Sequence, residues 1–242
     1  MPKIRWRRIL VRTSLIVLAI LILGIGYSLV FPNISRLKKE APKATAFMKY
    51  RQKMSRKAGK NLAIAYTWMP LDEISPYLVQ AVVISEDDKF WSHKGFDFEA
   101  IKTALEKDIK NKTWKHGGST ITQQLAKNLF LSPSRNPIRK LREIILTWRL
   151  ESALSKKRIL ELYLNVVEWG TGIFGAEAAS QRYYGKPASA LSPQEAAHLA
   201  VVLPSPRRYN PLSGTDYIED RVREVLDIMI KRGTVTSEEV EN

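Results

Sequence analysis

Apolar positions follow three different patterns along this chain. From Thr13 to Phe31, nineteen successive residues carry no charge, and most are Leu, Ile or Val on every helical face. At 1.5 Å per residue such a helix spans about 30 Å, the thickness of a bilayer's hydrocarbon core. The run leaves through Leu29, Val30, Phe31 and Pro32, with no small-residue exit. It therefore predicts an uncleaved signal-anchor rather than a removed leader or a buried core helix. Residues 33–60 show no strong apolar period and predict a basic, partly helical connector lying near anionic headgroups. From about Leu62 onward the helical period of 3.6 takes over.

Cap residues divide that third region. After a short β-like start in "LAIAYTW", Asp97 precedes "FDFEAIKTALEKDIKN", whose Phe98, Ile101, Leu105 and Ile109 fall on one face and are expected to be buried. Ser119 is placed to cap "TITQQLAKNLF". Asn136 and Pro137 open the next helix, and Ser155 caps "KKRILELYLNVV". An Ala-rich helix stops at Gly185, Ser192 and Glu195 form a capping box, and a last amphipathic helix reaches Gly233. Strands are scarce, so the fold class is mainly α. The expected divisions are a basic head 1–12, the anchor 13–31, the connector 32–61 and a globular domain 62–242.

Charge sharpens this picture. The net charge is +15, but residues 1–60 hold 15 Lys and Arg against one acid, Glu40, which leaves the remaining chain near neutral. Within it, residues 102–158 carry 14 bases against four acids. That local basic face suits phosphate, pyrophosphate or anionic lipid as well as nucleic acid. Basic residues flank the anchor on both sides, so the positive-inside rule alone does not orient it. With no cysteine there are no disulfides and no thiolate metal site.

Four stretches carry candidate chemistry. In "VVISEDDKFWSHKGFD" an apolar run ends in Glu86, Asp87 and Asp88. Helical geometry forbids all three acids from facing one site, and Glu86 lies nearest the apolar edge, where desolvation raises a carboxyl toward general-base range. The alternative is a solvated helix end, though acids there oppose the helix dipole. "GGSTITQQLAKNLF" offers a flexible loop and a helix N-terminus suited to an anion, with Gln124 and Asn128 on one face and Gln123 and Lys127 on another. It lacks a P-loop's glycine pattern. Arg135, Arg139, Lys140 and Arg142 surround a helix start where they could clamp a diphosphate or form a solvated basic face. Glu161 is a lone acid in the apolar helix "RILELYLNVV", either used chemically or paired with an Arg of the preceding basic stretch.

Taken together these stretches resemble the peptidoglycan glycosyltransferase family. "EDDKFWSHKGFD" is similar to its first motif, "GGSTITQQLAKN" to its second, and "RKLRE" to its third. "KKRILELYLN" with "GIFGAEAASQRYYGK" is similar to the fourth, and "LSPQEAAHLAVVLPSPRRYNP" to the fifth. The likeness spans roughly residues 65–212 and leaves no room for a transpeptidase domain, as in monofunctional members. It implies a lysozyme-like, mainly α fold with a membrane-facing jaw, and inverting polymerisation of lipid II with release of undecaprenyl pyrophosphate. It implies Glu86 as general base and Glu161 as a second, positioning carboxylate. Substrate contact falls to Asp87, Phe90 and His93, then Ser119, Thr120, Gln123, Gln124, Lys127 and Asn128, then Arg135, Arg139 and Lys140. No cofactor is obligatory; Asp87 and Asp88 could recruit a divalent cation such as Mg or Mn, although no adequate ligand set is visible. The implied partners are lipid II, the lipid-linked glycan, membrane lipid and proteins of cell-wall synthesis or division, not nucleic acid. The implied place is the outer face of a bacterial cytoplasmic membrane. A glycan-cleaving enzyme of the same fold class would not need the cationic site. A tethered binder of nucleic acid or lipid would not need Glu86.

Overall fold

A computed structural model describes residues 2–111, 118–133 and 136–241, with the backbone alone at 2–5, 7, 17, 18, 21, 108, 111 and 241. Helix α1 (Pro2–Val30) is followed by a 3-10 turn at Ile34–Lys38, α2 (Ala46–Lys57) and β1 (Ala65–Tyr66). Then come α3 (Pro76–Glu86), α4 (Phe98–Asn111), α5 (Ile121–Phe130), α6 (Pro137–Ala153) and α7 (Lys156–Val166). A small hairpin, β2 (Glu168–Gly170) and β3 (Ile173–Phe174), leads to α8 (Ala176–Tyr184), α9 (Pro193–Val202), α10 (Asp216–Lys231) and α11 (Ser237–Glu241). The fold is mainly α, as the helical periods predict. Asn136, Ser155 and Ser192 cap their helices, and Gly185 ends α8 in a left-handed conformation. Thr120, not Ser119, caps α5, because its hydroxyl is the one that reaches the third amide of the helix, on Gln123.

Helix α5 lies between α6 and α7, and α3 lies against α9 and α10. The core they enclose includes Leu78, Val82, Phe90, Leu125, Leu146, Leu150, Leu160 and Trp169, all fully buried. The strands close the domain in the order β1-β3-β2. Ala65 and Tyr66 pair in parallel with Ile173 and Phe174, and β2 runs antiparallel to β3. Gly175, with φ 87°, must be glycine, since a Cβ there would stand 2.6 Å from the Asn165 carbonyl oxygen.

Two regions depart from expectation. The apolar face of α4 is not buried: Phe98 is 76% exposed, Leu105 51% and Ile109 65%. No extensive helix–helix contact covers α4 among the described residues. Its face adjoins the outer face of α6, where Ile138, Ile144 and Trp148 are also exposed. Between them lies a groove of ≈420 Å³ lined by Phe96, Phe98, Ile101, Leu105 and Ile144, with Ser119, Gln123 and Lys140 at its rim. The segment 33–60, weakly patterned in sequence, packs onto the domain by burying Ile34, Leu37 and Met48. Among the described residues no helix is long and apolar enough to cross a membrane; the side chains at 17, 18 and 21, within the uncharged run, are not among them.

Among the described residues one ion pair ties helix α2 to β2. Arg51 donates through Nε (2.9 Å) and Nη2 (2.5 Å) to Oε2 of Glu168, which is only 3% exposed, and its guanidinium lies 4.7 Å from the Phe47 ring centre. Breaking such a pair strands a buried charge. Arg51→Ala is expected to cost about 3 kcal/mol in urea unfolding, with part recovered by adding Glu168→Gln. An Arg51→Ala protein as stable as the wild type would show that the pair does not hold α2.

Candidate active site

The site begins where α3 stops. Val82, Val83 and Ile84 are buried, and the helix ends at Glu86 with Asp87 as its cap. Asp87 turns inward. Its carboxylate accepts from His93 Nε2 at 2.9 and 3.0 Å and from the Ile121 amide at 2.9 Å. His93 Nδ1 accepts from the Gly95 amide at 3.0 Å, which leaves the proton on Nε2. Gly95 has φ 91°, and a Cβ there would meet Thr147 Cγ2 at 2.9 Å. Its carbonyl accepts from the Thr120 hydroxyl at 2.7 Å, and the Thr120 amide donates to Gln123 Oε1 at 3.0 Å. Phe90 is fully buried, with the Lys156 ammonium 4.4 Å from its ring centre. The structure thus brings Asp87, Phe90, His93, Thr120 and Gln123 into a frame. Phe90 presents no surface to a ligand, and the Asp87 carboxylate, the His93 ring, the Thr120 hydroxyl and Gln123 Oε1 are engaged in this network.

Inside the frame stand Glu86, Gln124 and Lys127. Gln124 Nε2 donates to Glu86 Oε2 at 2.6 Å, and Gln124 Oε1 accepts from the Tyr163 hydroxyl at 3.1 Å. Glu86 Oε1 is buried with no hydrogen-bond partner among the described residues. Burial pushes the Glu86 carboxyl above its ordinary range, against the opposing pull of Gln124 and the Lys127 charge. Burial likewise lowers Lys127, which forms no ion pair with a carboxylate among the described residues. A cleft of ≈470 Å³ opens beside Glu86, lined by Asp88, Asp97, Glu99, Lys107, Ser119 and Thr120 among others. Lys127 does not line it, and approaches Glu86 from the α5 side. Asn128 is 4% exposed and belongs to the packing of α5.

The basic helix start is partly neutralised. Arg139 Nη1 lies 2.8 Å from Glu143 Oε2 and Lys140 Nζ 2.5 Å from Oε1, so one buried carboxylate serves two cations. Arg135 and Gly117 lie outside the described residues. Glu161 is paired, but not with that stretch: Arg158, one turn earlier on its own helix, reaches its Oε1. The i,i+3 neighbour is closer than anything α6 supplies. Glu161 Oε2 accepts from the Leu71 amide at 3.4 Å. Asn165 steadies the same loop, accepting from the Met69 amide and donating to the Met69 carbonyl, both at 2.8 Å. Tyr163 was not singled out in sequence. Its signal was a hydroxyl in an otherwise apolar helix, since a buried tyrosine needs a partner.

The aspartates do not fit a divalent cation. Asp87 is committed to His93 and Ile121, and Asp88 is paired with Arg232 at 2.6 Å. Among the described residues no three His, Asp or Glu are grouped so as to hold a metal ion. The arrangement offers instead a carboxylate able to take a proton, with a partly desolvated ammonium on α5 to balance negative charge.

Comparison with known proteins shows the family. Residues 53–230 match the family model described as Transglycosylase. A "Biosynthetic peptidoglycan transglycosylase" of Azoarcus sp. (strain BH72) is 52% identical over 179 residues, 74% of this chain and 78% of that protein. Its namesake in Nitrosospira multiformis is 48% identical over 188 residues, 78% and 82% of the two chains. The one in Janthinobacterium sp. (strain Marseille) is 44% identical over 218 residues, 90% and 93%.

Burial of Glu86 has a consequence for stability. As pH rises from the ordinary glutamate value toward the raised one, the unfolded chain has lost this proton while the folded chain keeps it. Wild-type stability therefore falls over that window, and the full penalty is present above it. Glu86→Gln removes the penalty. The melting-temperature difference, variant minus wild type, is expected to become more positive from below about pH 4.3 up to neutrality. A flat difference across that range would show that Glu86 is not a desolvated carboxylate.

Proposed function

Because the chain belongs to the transglycosylase family, we propose that it polymerises lipid II into linear glycan strands by inverting glycosyl transfer. The protein is a peptidoglycan glycosyltransferase, an enzyme of cell-wall synthesis that acts in the cell envelope. The observation that carries this proposal is the Glu86 carboxylate, raised by burial, tethered through Oε2 to Gln124, with Oε1 unpartnered among the described residues.

In this mechanism the acceptor's 4-hydroxyl gives its proton to Glu86 Oε1 as its oxygen bonds to the donor's anomeric carbon. The bond from that carbon to the pyrophosphate breaks, and its electron pair leaves with undecaprenyl pyrophosphate. A single displacement turns the α-linked donor into a β-1,4-linked product. Glu86 then returns its proton to solvent. Charge builds on the pyrophosphate, and Lys127 stabilises it in this reading, with Lys140, 46% exposed, as a second cation. Because Glu143 already holds Arg139 and Lys140, Lys127 is the cation with the least compensation of these three.

The groove between α4 and α6 takes membrane lipid in this reading. Its exposed Phe98, Leu105 and Ile144 are costly in water and favourable among acyl chains. The uncharged run Thr13–Phe31 supports a single-pass anchor, with the N-terminus cytoplasmic and the enzymatic domain outside.

The test supplies lipid II and, separately, finished glycan to the full-length protein. Polymer is expected from the first and no cleavage of the second; consumption of the glycan alone sinks the proposal. Glu86→Gln is expected to lower polymerisation by about 10²–10⁴-fold while retaining binding of lipid II. Gln124→Ala removes the hydrogen bond that lowers the Glu86 pKa. The acidic limb of its kcat/KM profile is expected at higher pH than in the wild type. An unmoved limb would take the role of base away from Glu86.

A further inference from the structure

Helix α7 presents Leu160 and Tyr163 one turn apart, and both are fully buried. Its packing against α5 holds the Tyr163 ring in the core, where a phenol needs a hydrogen-bond partner. That partner is Gln124. The Tyr163 hydroxyl donates to Gln124 Oε1 at 3.1 Å, and Gln124 Nε2 donates to Glu86 Oε2 at 2.6 Å. Two hydrogen bonds in series thus run from α7 through α5 to the last residue of α3, whose carboxylate stands beside the cleft.

The amide between them has two ends of opposite character. Its nitrogen only donates and its oxygen only accepts. An ionised carboxylate also only accepts, so the amide must turn its nitrogen toward Glu86. Turned the other way, it would set oxygen against oxygen at the 2.6 Å contact. With the nitrogen engaged by Glu86, the oxygen is left for Tyr163, which donates to it. Burial pushes the Tyr163 hydroxyl well above its ordinary range, so it keeps the proton it donates. The consequence falls on the carboxylate. Gln124 occupies Oε2, and Oε1, buried and unpartnered among the described residues, is the atom left to take a proton.

We propose that Tyr163 is a positioning residue for glycosyl transfer: through the Gln124 amide it keeps Oε2 of Glu86 occupied and Oε1 free for the acceptor's proton. Phenylalanine at 163 fills the same space but leaves Gln124 Oε1 without its donor. A buried acceptor left unpaired costs more than the bond itself contributed, so the amide turns away and its hold on Glu86 weakens. The charged groups that face Glu86 are untouched by this change: Asp87 beside it, Lys127 on α5 and Arg221 on α10. Asp87 opposes ionisation of Glu86, whereas the two cations and the Gln124 bond favour it. Weakening that bond therefore moves Glu86 one way, further up. The inference rests on the reading of Glu86 as the general base.

The test is a double-mutant cycle in the full-length protein with lipid II as substrate, using Tyr163→Phe, Gln124→Ala and the pair. Tyr163→Phe is expected to lower kcat about three- to tenfold, the effect of one ordinary hydrogen bond, with KM changed less than about twofold. The acidic limb of its kcat/KM profile is expected at higher pH than in the wild type, displaced no further than in Gln124→Ala. Because Tyr163 acts through Gln124, the double variant is expected to be no slower than Gln124→Ala alone. A tyrosine that only packs the core would lower the melting temperature and the active fraction and leave the acidic limb in place. Its loss would also add to that of Gln124→Ala. An unmoved limb in Tyr163→Phe, additive losses, or a Tyr163→Phe enzyme as fast as the wild type each overturn the inference. The functional reading survives those results as long as Gln124→Ala moves the limb. A wild-type protein that makes no polymer overturns the functional reading and this inference with it.

Discussion

The Asp87 carboxylate, 8% exposed, joins the two helices on which the site is built. Buried ionised carboxylates are costly unless hydrogen-bonded, and this one takes two kinds of donor. The Ile121 amide belongs to the N-terminus of α5, where the helix dipole favours negative charge. The His93 ring comes from the turn that follows α3. Burial still raises Asp87, against both donors, so the junction is satisfied but not relaxed. Its geometric effect is strong. With α3's last turn fixed to α5's first, Glu86 and Gln124 must meet, and the 2.6 Å contact between them follows.

Around this junction the protein separates two kinds of charge. Arg139 and Lys140 share Glu143, Lys156 pairs with Glu151, and Arg158 pairs with Glu161. These pairs fix positions. Glu86 and Lys127 form no ion pair among the described residues, and both are desolvated and shifted toward the neutral form. Evolution for stability alone would replace them by neutral or apolar residues of similar volume. Their presence is intelligible if the missing compensation comes from a hydroxyl proton and a pyrophosphate.

Much of this was legible in the sequence, and the illegible parts share a cause. Caps at Asn136, Ser155 and Ser192 act through the next few residues, so local pattern was enough. The same locality placed Glu86 at the apolar edge of α3. Asp87, however, finds Ile121 across 34 positions, and Gln124 finds Tyr163 across 39. Nothing local distinguishes Asp87, whose two oxygens both accept hydrogen bonds, from Glu86, whose Oε1 has no partner among the described residues. The apolar stripe of α4 illustrates a different limit. Periodicity reports which face is apolar, not what covers it. Phe98, Leu105 and Ile109 were expected to meet protein and are open instead, a pattern that a lipid-facing surface and a core helix share.

The exit from α1 changes how the domain relates to its N-terminal helix. A flexible tether would let the domain tumble, and the distance from its site to any fixed plane would vary by the tether's reach. Here Arg149 holds the carbonyls of Ser28, Val30 and Pro32, and Ile34 and Leu37 are buried beyond them. Helix α1 therefore continues into the domain's own packing. Its direction is set by α6, the helix that also carries Lys140 and the exposed Ile144 and Trp148. A single helix thus relates three things: the course of α1, an apolar face suited to acyl chains, and cations suited to a pyrophosphate. If the substrate is a lipid whose head must rise a fixed height to reach Glu86, rigidity at this exit serves the chemistry as directly as the residues of the cleft.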